Sequence, residues 1–202
     1  HLPGHKVTEE IAAARGFPPG VDILSPSRFK DISTPEDLRR RADELRDMSG
    51  GRPIGIKIAA GRVEDDIDFI LAAGNLDFIT VDGRPGGTGS APKYIKQATS
   101  IPTIFALHRA RRHLDRRRAG DVSLVITGGL RIAPDFAKAL AMGADAVAVA
   151  TGALIAVGCS QFKMCNTGRC PAGITSQDPE LRRNIDIDAA AGRLANYLNV
   201  ST

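Results

Sequence analysis

The chain has no Trp and only 2 Tyr among 202 residues, so it lacks the aromatic platforms on which single-stranded nucleic acid stacks. It also lacks a long apolar run. The longest such stretch, Ala144 to Gly158, is interrupted by Asp145 and Gly152, which argues against a membrane span. No signal peptide opens the chain and there is no initiator Met. It starts His1-Leu2-Pro3-Gly4, as a piece cut from a longer polypeptide would. Charge of one sign is in short supply: 27 Lys and Arg exceed 23 Asp and Glu by 4, too mild an excess to support a nucleic-acid partner. Cysteine is scarce too. The 3 present fall between positions 159 and 170, an odd and clustered set. In a chain without export signals this points to reduced thiolates holding a metal, and to the cytoplasm, rather than to disulfides.

What is there is a core-forming chain, 43% hydrophobic, enough for one sizeable core. Residues 1–33 carry no full secondary-structure unit of their own. From Thr34 onward, helix and strand signals alternate. Thr34-Pro35-Glu36-Asp37 has an N-cap, a first-turn Pro and first-turn acids, and predicts a helix to about Met48. Further helices are expected at Asp65–Ala73, Pro92–Thr99, Arg109–Ala119 and Pro134–Met142. Apolar strands are expected at Pro53–Ile58, Leu76–Val81, Ile101–Ala106, Ser123–Ile126 and Ala146–Ala150. Nearly continuous apolar strands alternating with helices predict an α/β fold with a parallel sheet covered on both faces. Five strands fit either an open sheet or the C-terminal portion, about five βα units, of a (β/α)8 TIM barrel whose first three strands precede His1. Both architectures place ligands at the carboxyl ends of the strands, where Lys57, Asp82, Thr127 and Thr151 recur.

Four features carry chemistry. Cys159-x5-Cys165-x4-Cys170-Pro171 offers three thiolates that can converge on one inorganic centre. Structural zinc takes four ligands in tighter pairs, and a four-iron cubane wants four cysteines. A cluster with one corner missing wants three. Thr127-Gly128-Gly129 and Thr151-Gly152 close the last two strands, where barrels often build a phosphate site. Lys57, in an apolar strand, is either snorkelling at the rim or aimed at an electron-rich ligand such as a flavin's N1 edge. The loop from Asp82 to Pro92 is dense in Gly and matches neither a P-loop nor a dinucleotide fingerprint. It is either a flexible surface loop or a ligand cover. One basic run, His108 to Arg118, is read as a solvated helix face, or else as a contact for an acidic partner domain.

Together these pieces resemble the FMN-binding domain of glutamate synthase. The resemblance runs through Leu2-Pro3-Gly4-x-Lys6-Val7, Leu24-Ser25-Pro26, Ile56-Lys57, Asp82-Gly83-x-x-Gly86-Gly87-Thr88-Gly89-x-Ala91-Pro92, Gly128-Gly129-Leu130, Thr151-Gly152 and the cysteine triplet. It implies a barrel carrying FMN beside a 3Fe-4S cluster and reducing 2-iminoglutarate, formed from 2-oxoglutarate and ammonia, to L-glutamate. By position, Cys159, Cys165 and Cys170 would hold the iron. Asp82, Thr127, Gly128, Gly129, Thr151 and Gly152 would bind FMN. Lys57 would sit by both flavin and substrate as the catalytic residue, and Gly86, Gly87, Thr88, Gly89 and Ser90 would close the substrate side.

The implied organisation is a partial FMN-binding barrel over residues 1–158, an iron–sulfur loop over 159–177 and a tail over 178–202 packing on the barrel. Implied partners are a glutaminase domain or subunit as ammonia source, and a ferredoxin or an NAD(P)H-oxidising subunit as electron donor. No nucleic acid or membrane partner is implied. Ser27-Arg28-Phe29-Lys30 stands where the large enzymes carry a Pro- and His-rich stretch. That departure resembles a shorter prokaryotic subfamily that includes N-methylglutamate synthase relatives, which use methylamine. A non-catalytic electron-transfer module is the reading from another class.

Overall fold

A computed structural model describes residues 1–87 and 91–201. In chain order its elements are α1 (Glu9–Arg15), α2 (Pro35–Met48), β1 (Gly55–Ala59), α3 (Val63–Ala73), β2 (Phe78–Asp82), α4 (Lys93–Ala98), α5 (Thr103–Arg117) and β3 (Ser123–Thr127). There follow α6 (Ala133–Ala141), β4 (Ala146–Val147), α7 (Thr151–Ala156), α8 (Pro179–Arg182) and α9 (Ile187–Asn199). The strands form one parallel sheet in the order β1-β2-β3-β4.

The register gives the sheet two unlike faces. Lys57, Thr80 and Val125 are level, as are Ala59, Asp82 and Thr127, so these six side chains share one side. The other side carries Ile56, Ile58, Ile79, Val81, Leu124 and Ile126. Ile79, Val81, Leu124 and Ile126 on that side are fully buried, together with Val63 and Ile67 of α3 and Leu107 and Leu114 of α5. Emptying one of these positions, as in leucine-to-alanine changes, costs about 2–5 kcal/mol.

Local signals explain the element boundaries. Thr34 and Asp37 form a reciprocal capping box: the Asp37 N–H donates to Thr34 Oγ1 at 3.2 Å, and the Thr34 N–H to Asp37 Oδ2 at 3.0 Å. α2 therefore starts and stops where the sequence places it. The expected strand Ile101–Ala106 is corrected. Only Pro102 bridges, to Arg84, and from Thr103 the chain is helical. The reason is periodicity. Thr103, Ala106, Leu107, Ala110 and Leu114 are buried while Phe105 is exposed, a spacing of three and four rather than two. β2 consequently pairs directly with β3 and the sheet has one strand fewer. The last strand is also shorter than Ala146–Ala150: Ala146 and Val147 are level with Val125 and Ile126, and the Ala148 N–H still donates to the Ile126 carbonyl at 2.9 Å.

The basic run has partners that the sequence does not show. Its face is solvated, with His108, Arg109, Arg112, Arg116, Arg117 and Arg118 exposed, but it also forms half of a charge seam between α5 and α3. Arg109 clamps Glu64 through Nε at 2.9 Å and Nη2 at 2.5 Å. Arg117 and His113 share Asp68, with Arg117 Nε at 2.7 Å and His113 Nε2 at 2.6 Å from Oδ1. The Arg117 guanidinium, opposed by desolvation and helped by His113, holds the Asp68 carboxyl down at about 2. A depressed carboxylate stabilises the fold above its unfolded pKa of about 3.9, and that contribution fades as pH falls towards 2. Asp68→Asn is therefore expected to lower the melting temperature at pH 7 and to match the wild type near pH 2. Asp68 is about one-third exposed, so screening limits the difference at neutral pH to about 1 kcal/mol.

The chain divides into two compact units. The sheet and its helices belong to one, built from Arg28–Gly87 and Lys93–Ala153. The other combines His1–Ser27 with Leu154–Asn199. Here residues 1–33 prove more ordered than expected. α1 is capped by Thr8 and stopped by Gly16 in the left-handed region. Leu2 and Ile23 bridge in antiparallel fashion, and Val7, Ala12 and Ile23 make a small core. In the tail, Arg193 of α9 donates to the carbonyls of Ala156 and Val157 at the end of α7.

Candidate functional site

The carboxyl end of the sheet gathers the polar residues read from the sequence. Lys57 lies mid-strand, because β1 continues to Ala59. Its Nζ is 2.7 Å from Asp82 Oδ2. Asp82 is largely enclosed at 13% side-chain exposure, whereas Lys57 is 57% exposed. The lysine is thus neither a rim snorkel nor an unpaired charge. It is a cation steadied by a half-buried carboxylate, with an accessible head.

The turns after β2 and β3 lock together. Gly128 has φ +113°, and a Cβ there would strike the Gly83 carbonyl and come 2.7 Å from Thr103 Oγ1. Gly129 has φ +80°, and its Cβ would lie 2.6 Å from the Pro85 ring. Thr103 Oγ1 donates to the Gly128 carbonyl at 2.5 Å and lies 3.2 Å from the Arg84 carbonyl. These glycines serve close turn-to-turn packing. Thr127 Oγ1 donates to the Ala148 carbonyl at 2.8 Å, pinning the end of β3 to the chain that follows β4. Gly86 lies against the Asp82 carboxylate and donates its N–H to the Gly83 carbonyl at 2.6 Å. Thr151 and Gly152 open α7, with Gly152 buried. Gly87 is exposed at φ +95°. Thr88, Gly89 and Ser90 lie outside the described residues. Sequence reasoning missed Thr103, which it had placed in a strand. Its signal is a hydroxyl directly after Pro102, at a helix start.

The cysteines lie in the other unit. Cys170 is buried, and Cys159 and Cys165 are half-buried. Desolvation pushes the Cys170 thiol up, but the backbone N–H groups of Thr175, Ile174 and Ala172 on its sulfur outweigh it and hold the thiol below its usual value. Such N–H clusters favour anionic sulfur. Cys165 opens a single 3-10 turn, Cys165–Thr167, tied by Thr167 N–H and Oγ1 to the Met164 carbonyl at 3.0 and 2.9 Å. Gln161 and Lys163 take left-handed conformations at φ 56° and 60°, unusual for residues with a Cβ.

Among the described residues no three His, Cys, Asp or Glu side chains converge as a site for a single metal ion. The three cysteines share one loop and supply the donor number that a three-thiolate cluster would need. Three soft sulfurs are present, one already surrounded by N–H donors. The buried Gln161 Nε2 lacks a hydrogen-bond partner among the described residues. Also among those residues, no helix is long and apolar enough to cross a membrane.

A family model described as a conserved region in glutamate synthase matches residues 1–202. The chain belongs to the glutamate synthase family. An archaeal-type glutamate synthase [NADPH] from Thermotoga neapolitana is 40% identical over 98% of the chain and 39% of its own length. An archaeal glutamate synthase [NADPH] from Methanocaldococcus jannaschii is 38% identical, covering 100% of the chain and 40% of that protein. A glutamate synthase large subunit-like protein from Rhizobium meliloti is 37% identical over 100% of the chain and 49% of its own length. The chain thus spans between 39% and 49% of these glutamate synthase relatives. Among solved structures, an IMP dehydrogenase/GMP reductase-like protein from Corynebacterium glutamicum is similar at 18% identity and a TM-score of 0.26, covering 64% of this chain and 47% of that one. So weak a likeness carries no argument.

Proposed function

We propose that the chain is the FMN- and iron–sulfur-bearing part of an oxidoreductase that makes L-glutamate from 2-oxoglutarate and ammonia. The observation that carries the reading is the Lys57–Asp82 pair on the polar face of the sheet, near the carboxyl ends of the strands. Unbroken sequential order across four parallel strands supports a barrel-type sheet, since open doubly wound sheets reverse order at their ligand-binding crevice. In this reading FMN, when bound, supplies hydride to 2-iminoglutarate, and a 3Fe-4S cluster supplies it with single electrons.

Lys57 and the turns at Gly128-Gly129 and Thr151-Gly152 would hold FMN, with Asp82 keeping Lys57 in place. Cys159, Cys165 and Cys170 would hold the cluster. Lys57 has one further task. Its ammonium binds anionic oxygen, orienting the substrate, and Asp82 prevents the flexible stem from swinging away. Gly86, Gly87 and the three residues after them would cover the substrate. An ammonia-supplying glutaminase and a ferredoxin or NAD(P)H-oxidising subunit would complete the system, in the reducing cytoplasm. Methylamine in place of ammonia is the second reading, favoured by Ser27-Arg28-Phe29-Lys30.

The test is the full-length protein purified without oxygen. It should be yellow-brown, contain FMN and iron, and form glutamate with ammonia faster than N-methylglutamate with methylamine. Lys57→Met should keep its iron and lose roughly 100-fold or more in turnover, the scale seen when one preorganised charge or donor is removed. A colourless, metal-free protein would sink the proposal.

A further inference from the structure

The N-terminal segment carries a cation that the proposed function leaves unused. The turn Gly4–Lys6 is rigidly built. The buried Gly4 presses on the Gly20 carbonyl and donates its N–H to Asp22 Oδ1 at 2.6 Å. Lys6 and Val7 N–H donate to the Pro3 and Gly4 carbonyls at 2.9 and 2.8 Å, and Gly20 N–H to the Val7 carbonyl at 3.0 Å. From this turn the Lys6 side chain crosses the face of Gly168. Gly168 has φ +74°, and a Cβ there would come 2.9 Å from Lys6 Cε. The ammonium ends on the Cys165 carbonyl, 159 residues away in sequence. Among the described residues no carboxylate lies within ion-pair distance of it. A half-buried cation therefore reaches, without a counter-charge, the backbone of one of the three cysteines.

We propose that Lys6 is the positioning residue of the cysteine loop, fixing the backbone of Cys165 and setting one positive charge at that ligand. The inference rests on the reading of the cysteines as cluster ligands. Two consequences follow from charge and geometry. An iron–sulfur group held by three thiolates is anionic, and gaining an electron makes it more so. A fixed cation at one ligand favours the reduced state and raises the potential. The same bond also restrains the short Cys165–Thr167 turn, whose own hydrogen bonds join it to the neighbouring Met164 and Arg169.

The experiment compares wild type, Lys6→Met and Lys6→Arg in the full-length protein prepared without oxygen, measuring iron per chain and the cluster's midpoint potential by spectroscopic titration. Lys6→Met should lower the reduction equilibrium about tenfold, or about 59 mV for one electron, while Lys6→Arg restores most of it. Loss of iron in Lys6→Met with retention in Lys6→Arg would equally support the positioning role. A Lys6→Met protein with full iron and unchanged potential would overturn this inference alone. A wild-type protein without iron would overturn the reading of the cysteines, and this inference with it.

Discussion

Replacing Cys170 with serine is expected to strip iron from the full-length protein and stop glutamate formation, while FMN stays bound. Cys170 is the most buried of the three cysteines, and its sulfur is already met by backbone N–H groups from Ala172, Ile174 and Thr175. A serine there would keep its proton and offer a hard oxygen where iron–sulfur chemistry takes soft thiolate. Substitutions around a metal's ligands cost about 10- to 100-fold in affinity or activity, so loss of a ligand itself should exceed that range. Iron analysis and visible absorbance of anaerobic preparations measure it. Iron content equal to wild type would remove Cys170 from the ligand set.

The second large effect concerns Gly128. Alanine there is expected to destabilise the sheet unit by about 2–6 kcal/mol, adding about 1–3 for a disallowed backbone to about 1–3 for overpacking. The neighbours cannot yield, because the Cβ would meet backbone at Gly83 and the hydroxyl of Thr103, itself bonded to the Gly128 carbonyl. In a chain of this size that corresponds to a drop of order 10 °C in melting temperature. Gly120→Ala is the control: a Cβ there meets nothing within 4 Å, so the change should stay within about 0.5 kcal/mol. If Gly128→Ala melted with the control, the interlocked turns would not be structurally important.

Local chemistry was legible in the sequence and long-range pairing was not. The capping box at Thr34 and Asp37 is written within four residues, and the strand patterns around Ile79 and Leu124 within six. The cysteine spacing stood out for the same reason. At Ile101–Ala106 the local signal misled, because a short apolar run has no period of its own. Only the buried positions further on, at Leu107, Ala110 and Leu114, reveal the helix. Lys57 was visible as an anomaly, yet its partner Asp82 lies on the next strand. The exposed basic run gave no sign of its partners, because the acids that meet it, Glu64 and Asp68, sit on another helix. Lys6 and Cys165 are nearly the length of the chain apart, and no spacing rule connects them.

The two-faced sheet described above also proofreads its own alignment. Side chains on a strand alternate sides, so sliding β2 by one residue would turn Ile79 and Val81 out and drive Asp82 in among Leu107, Leu114 and Ile67. That would strand a carboxylate in hydrocarbon without its lysine, a misalignment far costlier than any loss of aliphatic contact. The pair that makes the polar face chemically useful therefore also penalises the competing registers, so weakening Asp82 should make strand pairing less unique as well as the site less charged.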